Sequence, residues 1–141
     1  MTEMCEEHKL EEIKIGQKKK FSVIITESMV DEFAKISGDF NPLHMDQQYA
    51  QSTKFGKRVC HGMLLASFFS RMVGMYLPGK NSLYFSQTMN FRLPCFINDA
   101  VTVEAEVTQT SIASRIIELK TTISDQEGKC LVEGIAKVMI R

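Results

Sequence analysis

Asp39 and His44 are the residues of this chain best suited to moving a proton. They share the short run Ser37-Gly38-Asp39-Phe40-Asn41-Pro42-Leu43-His44. A carboxylate and an imidazole that converge on one water molecule make a competent acid–base pair. Histidine titrates near neutrality, and proton transfer is most efficient when the carrier's pKa lies near the working pH. Pro42 fixes its own φ and keeps Asn41 out of the helical region, so the run predicts a stiff excursion on which the two side chains can meet. The same letters also suit a plain turn, because Asp and Asn readily bond their own backbone. On this run alone, both readings stand.

A second feature follows at His61-Gly62, just before the most apolar run of the chain. Gly62 falls at or near the first helical position, where a backbone N–H has no intrahelical partner. Such an N–H, reinforced by the helix dipole, can receive a carbonyl oxygen that gains negative charge, and a missing Cβ lets a ligand come close. An ordinary glycine at a helix start would look the same. His61 reads as a structural histidine satisfied inside the fold. Ser70, a polar residue within the apolar run, either bonds back to the carbonyl of Ala66 or points at a ligand. His8 reads as solvated.

These residues need a scaffold, and the pattern around them supplies one. Lys19 to Thr26 suits a strand, with Phe21, Val23 and Ile25 on one side, although Ile24 breaks the polar side. Thr26-Glu27-Ser28 offers a helix start, and Met29, Val30, Phe33, Ala34 and Ile36 fall at helical spacing up to Gly38. Asp46 can cap a short helix to Gln51. Gly62 to Leu77 is apolar on nearly every side and predicts a buried central helix closed by Pro78-Gly79. Four strands are expected after it: Ser82 to Leu93, Ala100 to Thr110, Ser114 to Ser124 and Cys130 to Ile140. Val101, Val103, Ala105 and Val107 alternate with Thr102, Glu104, Glu106 and Thr108, which predicts a sheet with one wet face. The expectation is α+β: an antiparallel sheet curled around one helix. Residues 1–18 read as a charged, frayed lead-in, and 19–141 as a single domain.

Composition bounds the function. Lys plus Arg and Asp plus Glu each number 17 in 141 residues, so the formal net charge is zero. A protein that binds nucleic acid by neutralising phosphates carries a basic surplus, which is missing here. The apolar fraction of 44% and charged fraction of 24% fit an ordinary globular chain rather than a disordered or fibrous one. The apolar stretch Gly62 to Phe69 is far short of a membrane span. Cys5, Cys60, Cys95 and Cys130 form no CxxC and no zinc-ligand spacing, and read as free thiols in the cytoplasm.

Three blocks taken together resemble one family. Ser37 to His44 resembles the hydratase signature of the MaoC-like, hot-dog-fold (R)-specific enoyl-CoA hydratases. His61-Gly62-Met63-Leu64-Leu65-Ala66-Ser67, with Leu77-Pro78-Gly79-Lys80, resembles that family's central helix and its exit. Phe91-Arg92-Leu93-Pro94, Phe96 and Asp99-Ala100-Val101 resemble the strand and turn that follow. The resemblance runs from about Glu27 to the end. It implies a single hot-dog fold that pairs as a homodimer, and reversible syn addition of water to a trans-2-enoyl thioester, giving an (R)-3-hydroxyacyl thioester.

In that reading Asp39 and His44 are catalytic, Gly62 polarises the thioester carbonyl, Asn41 supports the loop, and Ser70 lies near the active site. It implies no metal and no redox cofactor, since the thioester is itself the electron sink. The substrate carrier is CoA or acyl carrier protein, and Lys54, Lys57, Arg58, Lys80 and Arg92 are candidates for a basic rim that meets it. Three rivals remain: a 3-hydroxyacyl-[acyl carrier protein] dehydratase, a non-catalytic module that binds acyl thioesters, and a thioester hydrolase on the same fold.

Overall fold

The computed structural model describes residues 4–141. Six strands form one antiparallel sheet: β1 (Lys18–Ile24), β2 (Ser82–Gln87), β3 (Asn90–Phe91), β4 (Ala100–Ser111), β5 (Ile116–Ser124) and β6 (Cys130–Ile140). Their order is β1-β4-β5-β6-β2, with the short β3 also on β6. The single strand expected over 82–93 is thus two, because Thr88 leaves the ladder and its hydroxyl and N–H bond Ile135 instead. Register sets the inner face: Phe21 pairs with Val103, Val103 with Ile123, and Ile123 with Val132. Val101, Val103, Ala105 and Val107 are almost fully buried, while Thr102, Glu104 and Glu106 face outward, as the alternation predicts. Ile24, which broke the pattern, points outward and is exposed.

The helices fill the concave side. α1 (Glu27–Ser37) starts where Thr26 Oγ1 accepts the N–H of Met29, 3.1 Å away, and ends at Gly38, whose φ is 79°. It buries Val30 and Ala34, and leaves Ile36 in solvent. Two short turns follow, α2 (Pro42–Met45) and α3 (Gln47–Gln51), the latter capped by Asp46 as expected. The central helix α4 (Gly62–Arg71) widens into a π-helical turn, Met72–Tyr76, in which Leu77 donates to the carbonyl of Met72. Leu65, Phe69, Met72, Val73 and Tyr76 join the inner sheet residues in one core. Burial is not all round: Met63, Ser67, Ser70 and Arg71 form an exposed stripe along α4. Among the described residues, no helix is long and apolar enough to cross a membrane.

The frayed lead-in expected over 1–18 is corrected by packing (residues 1–3 lie outside the described residues). Leu10 and Ile13 belong to the core. Glu6 donates its N–H to Met75 O, 2.8 Å away, and its carbonyl accepts from Lys80. A Cβ on Gly79 would fall 2.0 Å from the Glu6 carbonyl oxygen, so a glycine is needed where this segment crosses the helix exit. His8 is likewise bonded, its Nε2 3.0 Å from Glu6 Oε1. Sequence reading missed the segment because two apolar residues among so many charges carry no period.

Candidate active site

The run from Ser37 to His44 is built by side chains that bond its own backbone. Ser37 Oγ donates to Phe33 O and accepts from Asp39 N. Asp39 Oδ1 accepts from Asn41 N at 3.1 Å, and Asn41 Oδ1 accepts from Leu43 N at 3.0 Å. Asn41, at φ −52° and ψ 132°, is held out of the helical region by Pro42, which opens α2. The expected polar loop therefore ends in a helical turn that carries His44. The turn reading of this run holds, and the same Asx-type bonds leave Asp39 and His44 close to one another.

His44 Nδ1 lies 2.6 Å from the carbonyl of Val59. A carbonyl only accepts, so Nδ1 carries the proton, and in the neutral ring Nε2 offers a bare lone pair. Nε2 is 4.0 Å from Asp39 Oδ2, too far for a direct hydrogen bond. The His44 side chain is 18% exposed and that of Asp39 48%. His61 is buried, and its ring stacks on His44 with centroids 4.1 Å apart. Its Nε2 donates to the Asp39 carbonyl at 2.9 Å, while Nδ1 has no partner. Phe33 meets the other side of His61 edge-on. His61 is thus a structural histidine, satisfied as expected only at Nε2, which holds the Asp39 carbonyl, whereas among the described residues Nδ1 is buried without a partner.

Gly62 opens α4 directly beside this pair. Among the described residues no side chain caps the helix start, and Gly62 itself lines the cleft. A Cβ on Gly62 would sit 2.8 Å from Cε1 of Phe91, a ring that lines the same cleft. The cleft has a volume of about 470 Å³, and its walls include Asp39, His44, Gly62, Met63, Phe91 and Leu93. Cys60 and Cys95 are buried in its wall, where Cys60 N donates to Cys95 O at 2.7 Å. The neighbouring Cys60 thiol, followed by burial, pushes the Cys95 thiol far up, so it stays protonated and unreactive. All four cysteines are free.

Two sequence-based placements need correction. Ser70 is not brought to Asp39 and His44: it lies two turns along α4 on the exposed stripe and does not line the cleft. The serine that bonds back to the helix is Ser67, to Leu64 O. Arg58 is no part of a basic rim, since it is 8% exposed and bonded to Glu27, Asp31 and His44 O. Of the other candidates, Arg92 lines the cleft and pairs with Glu133. Lys54 stands over the ring of the cleft residue Phe55, and Lys57 over Phe96. Lys80 lies at the helix exit, outside the cleft lining. Asp39, His44 and His61 each offer a ligand atom, all within 4.8 Å of one another, so this trio is the donor set that could hold a divalent cation.

Known proteins share both sequence and shape with this chain. It is 44% identical over 128 residues to the (R)-specific enoyl-CoA hydratase of Aeromonas caviae, covering 91% of this chain and 96% of that one. It is 32% identical over 130 residues to a mitochondrial 3-hydroxyacyl-[acyl-carrier-protein] dehydratase of Solanum lycopersicum, covering 91% and 78%. An unliganded R-hydratase of Pseudomonas aeruginosa superposes with a TM-score of 0.90 at 35% identity, covering 93% and 84%, which makes the architecture a hot-dog fold. The MaoC-like domain model matches residues 10–128, and with these relatives it shows that the chain belongs to the MaoC-like domain family.

Proposed function

We propose that the protein is an (R)-specific enoyl-CoA hydratase that adds water reversibly to trans-2-enoyl-CoA. The observation that carries this reading is the gap between Asp39 Oδ2 and His44 Nε2, 4.0 Å wide and beside the N-terminus of α4. An oxygen about 2.8 Å from each atom closes a triangle over that gap with roughly a right angle at the oxygen. A water there donates one hydrogen to each group and keeps a lone pair for C3 of the enoyl chain. His44 Nε2 takes the water proton as the C3–O bond forms, and Asp39 supports the imidazolium. The electron pair of the double bond moves toward the thioester carbonyl, whose oxygen the Gly62 N–H stabilises. The imidazolium then returns its proton to C2. Water and proton arrive from one side of the chain, so the addition is syn. The thioester serves as electron sink, and the mechanism uses neither metal nor redox cofactor.

The relatives support CoA as the carrier, since the greater identity is to the CoA hydratase. The tomato relative and Arg92 at the cleft keep a carrier-protein dehydratase as the second reading. Relative rates on crotonyl-CoA and a carrier-bound enoyl chain separate the two. The open cleft, the half-exposed Asp39 and the exposed stripe of α4 that carries Ser70 suit a homodimer in which a second copy covers this face. Four free thiols suit the reducing cytoplasm.

Following crotonyl-CoA absorbance with wild type and Asp39→Asn tests the mechanism. Loss of the carboxylate should lower the rate on the order of 10²-fold or more. An unchanged rate rejects it, and release of free CoA thiol would indicate a hydrolase.

A further inference from the structure

The geometry points to Arg58 as the positioning residue of the catalytic pair: its guanidinium fixes the backbone of His44, and so the place of Nε2. This inference rests on the reading of Asp39 and His44 as catalytic. Arg58 lies in the extended segment before α4 and is 8% exposed. A buried guanidinium is costly unless its donors are used. Here Nε donates to His44 O at 2.5 Å, Nη1 to Glu27 Oε1 at 2.8 Å and Nη2 to Asp31 Oδ1 at 3.0 Å. Glu27 and Asp31 are one turn apart on α1, on the same face. The planar fork therefore ties the first two turns of α1 to the carbonyl of the catalytic histidine, a geometry that lysine cannot reproduce.

The His44 carbonyl needs this donor. Helix α2 stops at Met45, and the next N–H groups, of Gln48 and Tyr49, bond the Asp46 side chain. Among the described residues, no backbone N–H reaches His44 O. The residue after Arg58 completes the hold: Val59 N donates to Leu43 O at 3.2 Å, and Val59 O accepts from His44 Nδ1. Two adjacent residues thus fix the backbone of His44, its tautomer and its ring direction. If the Nε bond is lost, the His44 peptide can turn and carry Nε2 away from the water site. All three guanidinium nitrogens are engaged inside the fold and the side chain is buried, a poor placement for meeting a CoA phosphate.

The test uses Arg58→Lys, which keeps the charge beside Glu27 and Asp31, and Arg58→Met, which removes it. Steady-state rates with crotonyl-CoA are read well below each variant's melting temperature. Positioning predicts a fall in kcat of about 10- to 10²-fold in both, with KM little changed, as expected for a small misplacement of a reacting group. It also predicts that the His44 Hδ1 proton resonance shifts or is lost in both. A folded variant with wild-type kcat, or with a raised KM alone, overturns the proposal. A third readout needs no variant: in the wild type, the Arg58 Nε–H should exchange with water far more slowly than an exposed arginine, and solvent-like exchange overturns it. If Asp39→Asn keeps full activity, the catalytic reading has failed, and the two resonance readouts still report on Arg58 independently.

Discussion

Asp39 and His44 share no hydrogen bond, and the proposed mechanism places a water in the 4.0 Å gap between them. In the proposed mechanism, the N–H donor that Gly62 offers the thioester oxygen depends equally on what is missing, a Cβ. Gly62→Ala keeps the N–H yet places a methyl group 2.8 Å from Phe91 Cε1. Phe91 is half exposed and can swing away, so the fold should survive. The ring would then move into the cleft it lines, and the thioester would sit farther from the N–H. A fall in kcat/KM of about 10-fold or more on crotonyl-CoA is expected, approaching the 10²–10³ seen when an oxyanion donor is removed. A melting temperature close to wild type would show that the loss is local. Asp39, Asn41 and Pro42 were legible in the sequence because their turn bonds close within a few letters of chain, and His44 stands at the end of that turn, although Val59 from another segment holds its ring. The partners of Arg58 and His61 were not, since they lie in other parts of the chain. Arg58 read as a surface cation because its pairing carboxylates, Glu27 and Asp31, come from α1.

At the scale of elements, the sequence carried the strands and helices well wherever a period repeats over many residues. The alternation of β4 and the cap of α3 both match the structure. Legibility failed where one residue decides. Thr88 splits a predicted strand, and Leu10 with Ile13 anchors a segment that otherwise reads as charged and loose. That anchoring has a measurable consequence. Leu10 is 3% exposed and Ile13 6%, both within the core. Leu10→Ala should cost about 2–3 kcal/mol, near the lower end for buried leucines because the site lies at the margin of the core. At this chain length the melting temperature should fall by roughly 5–10 °C. Hydrogen exchange should quicken at the amides of Glu6 and Lys80, which hold the segment to the helix exit. A loss within about 0.5 kcal/mol, the range of surface substitutions, would return residues 4–18 to the status of a loose lead-in. Because Asp39 and His44 lie at the other end of α4, kcat should change little below the melting point.

Considered as a whole, the molecule treats the two edges of its sheet differently. β1 borders solvent with Lys18 and Lys20 turned outward, and charges of this kind discourage pairing with another strand. Among the described residues β2 pairs only with β6, and it carries Leu83 and Phe85, exposed by 55% and 64%. Both faces of that strand are open, a poor arrangement for a lone chain because an exposed apolar edge invites association. The stripe Met63, Ser67 and Ser70 on α4 is uncovered as well. A second copy related by a two-fold axis would pair edge with edge and bury these residues at one stroke. Phe85→Lys puts the same kind of charge on this edge that already guards the other. Light scattering after size exclusion should give a dimer near 32 kDa (twice the 16.0 kDa chain) for the wild type and a shift toward monomer for Phe85→Lys. Hydration activity should fall with it, because the open side of the cleft would lose its cover. A wild-type chain that runs as a monomer with full activity would show that one copy suffices and that the apolar edge serves something other than self-pairing.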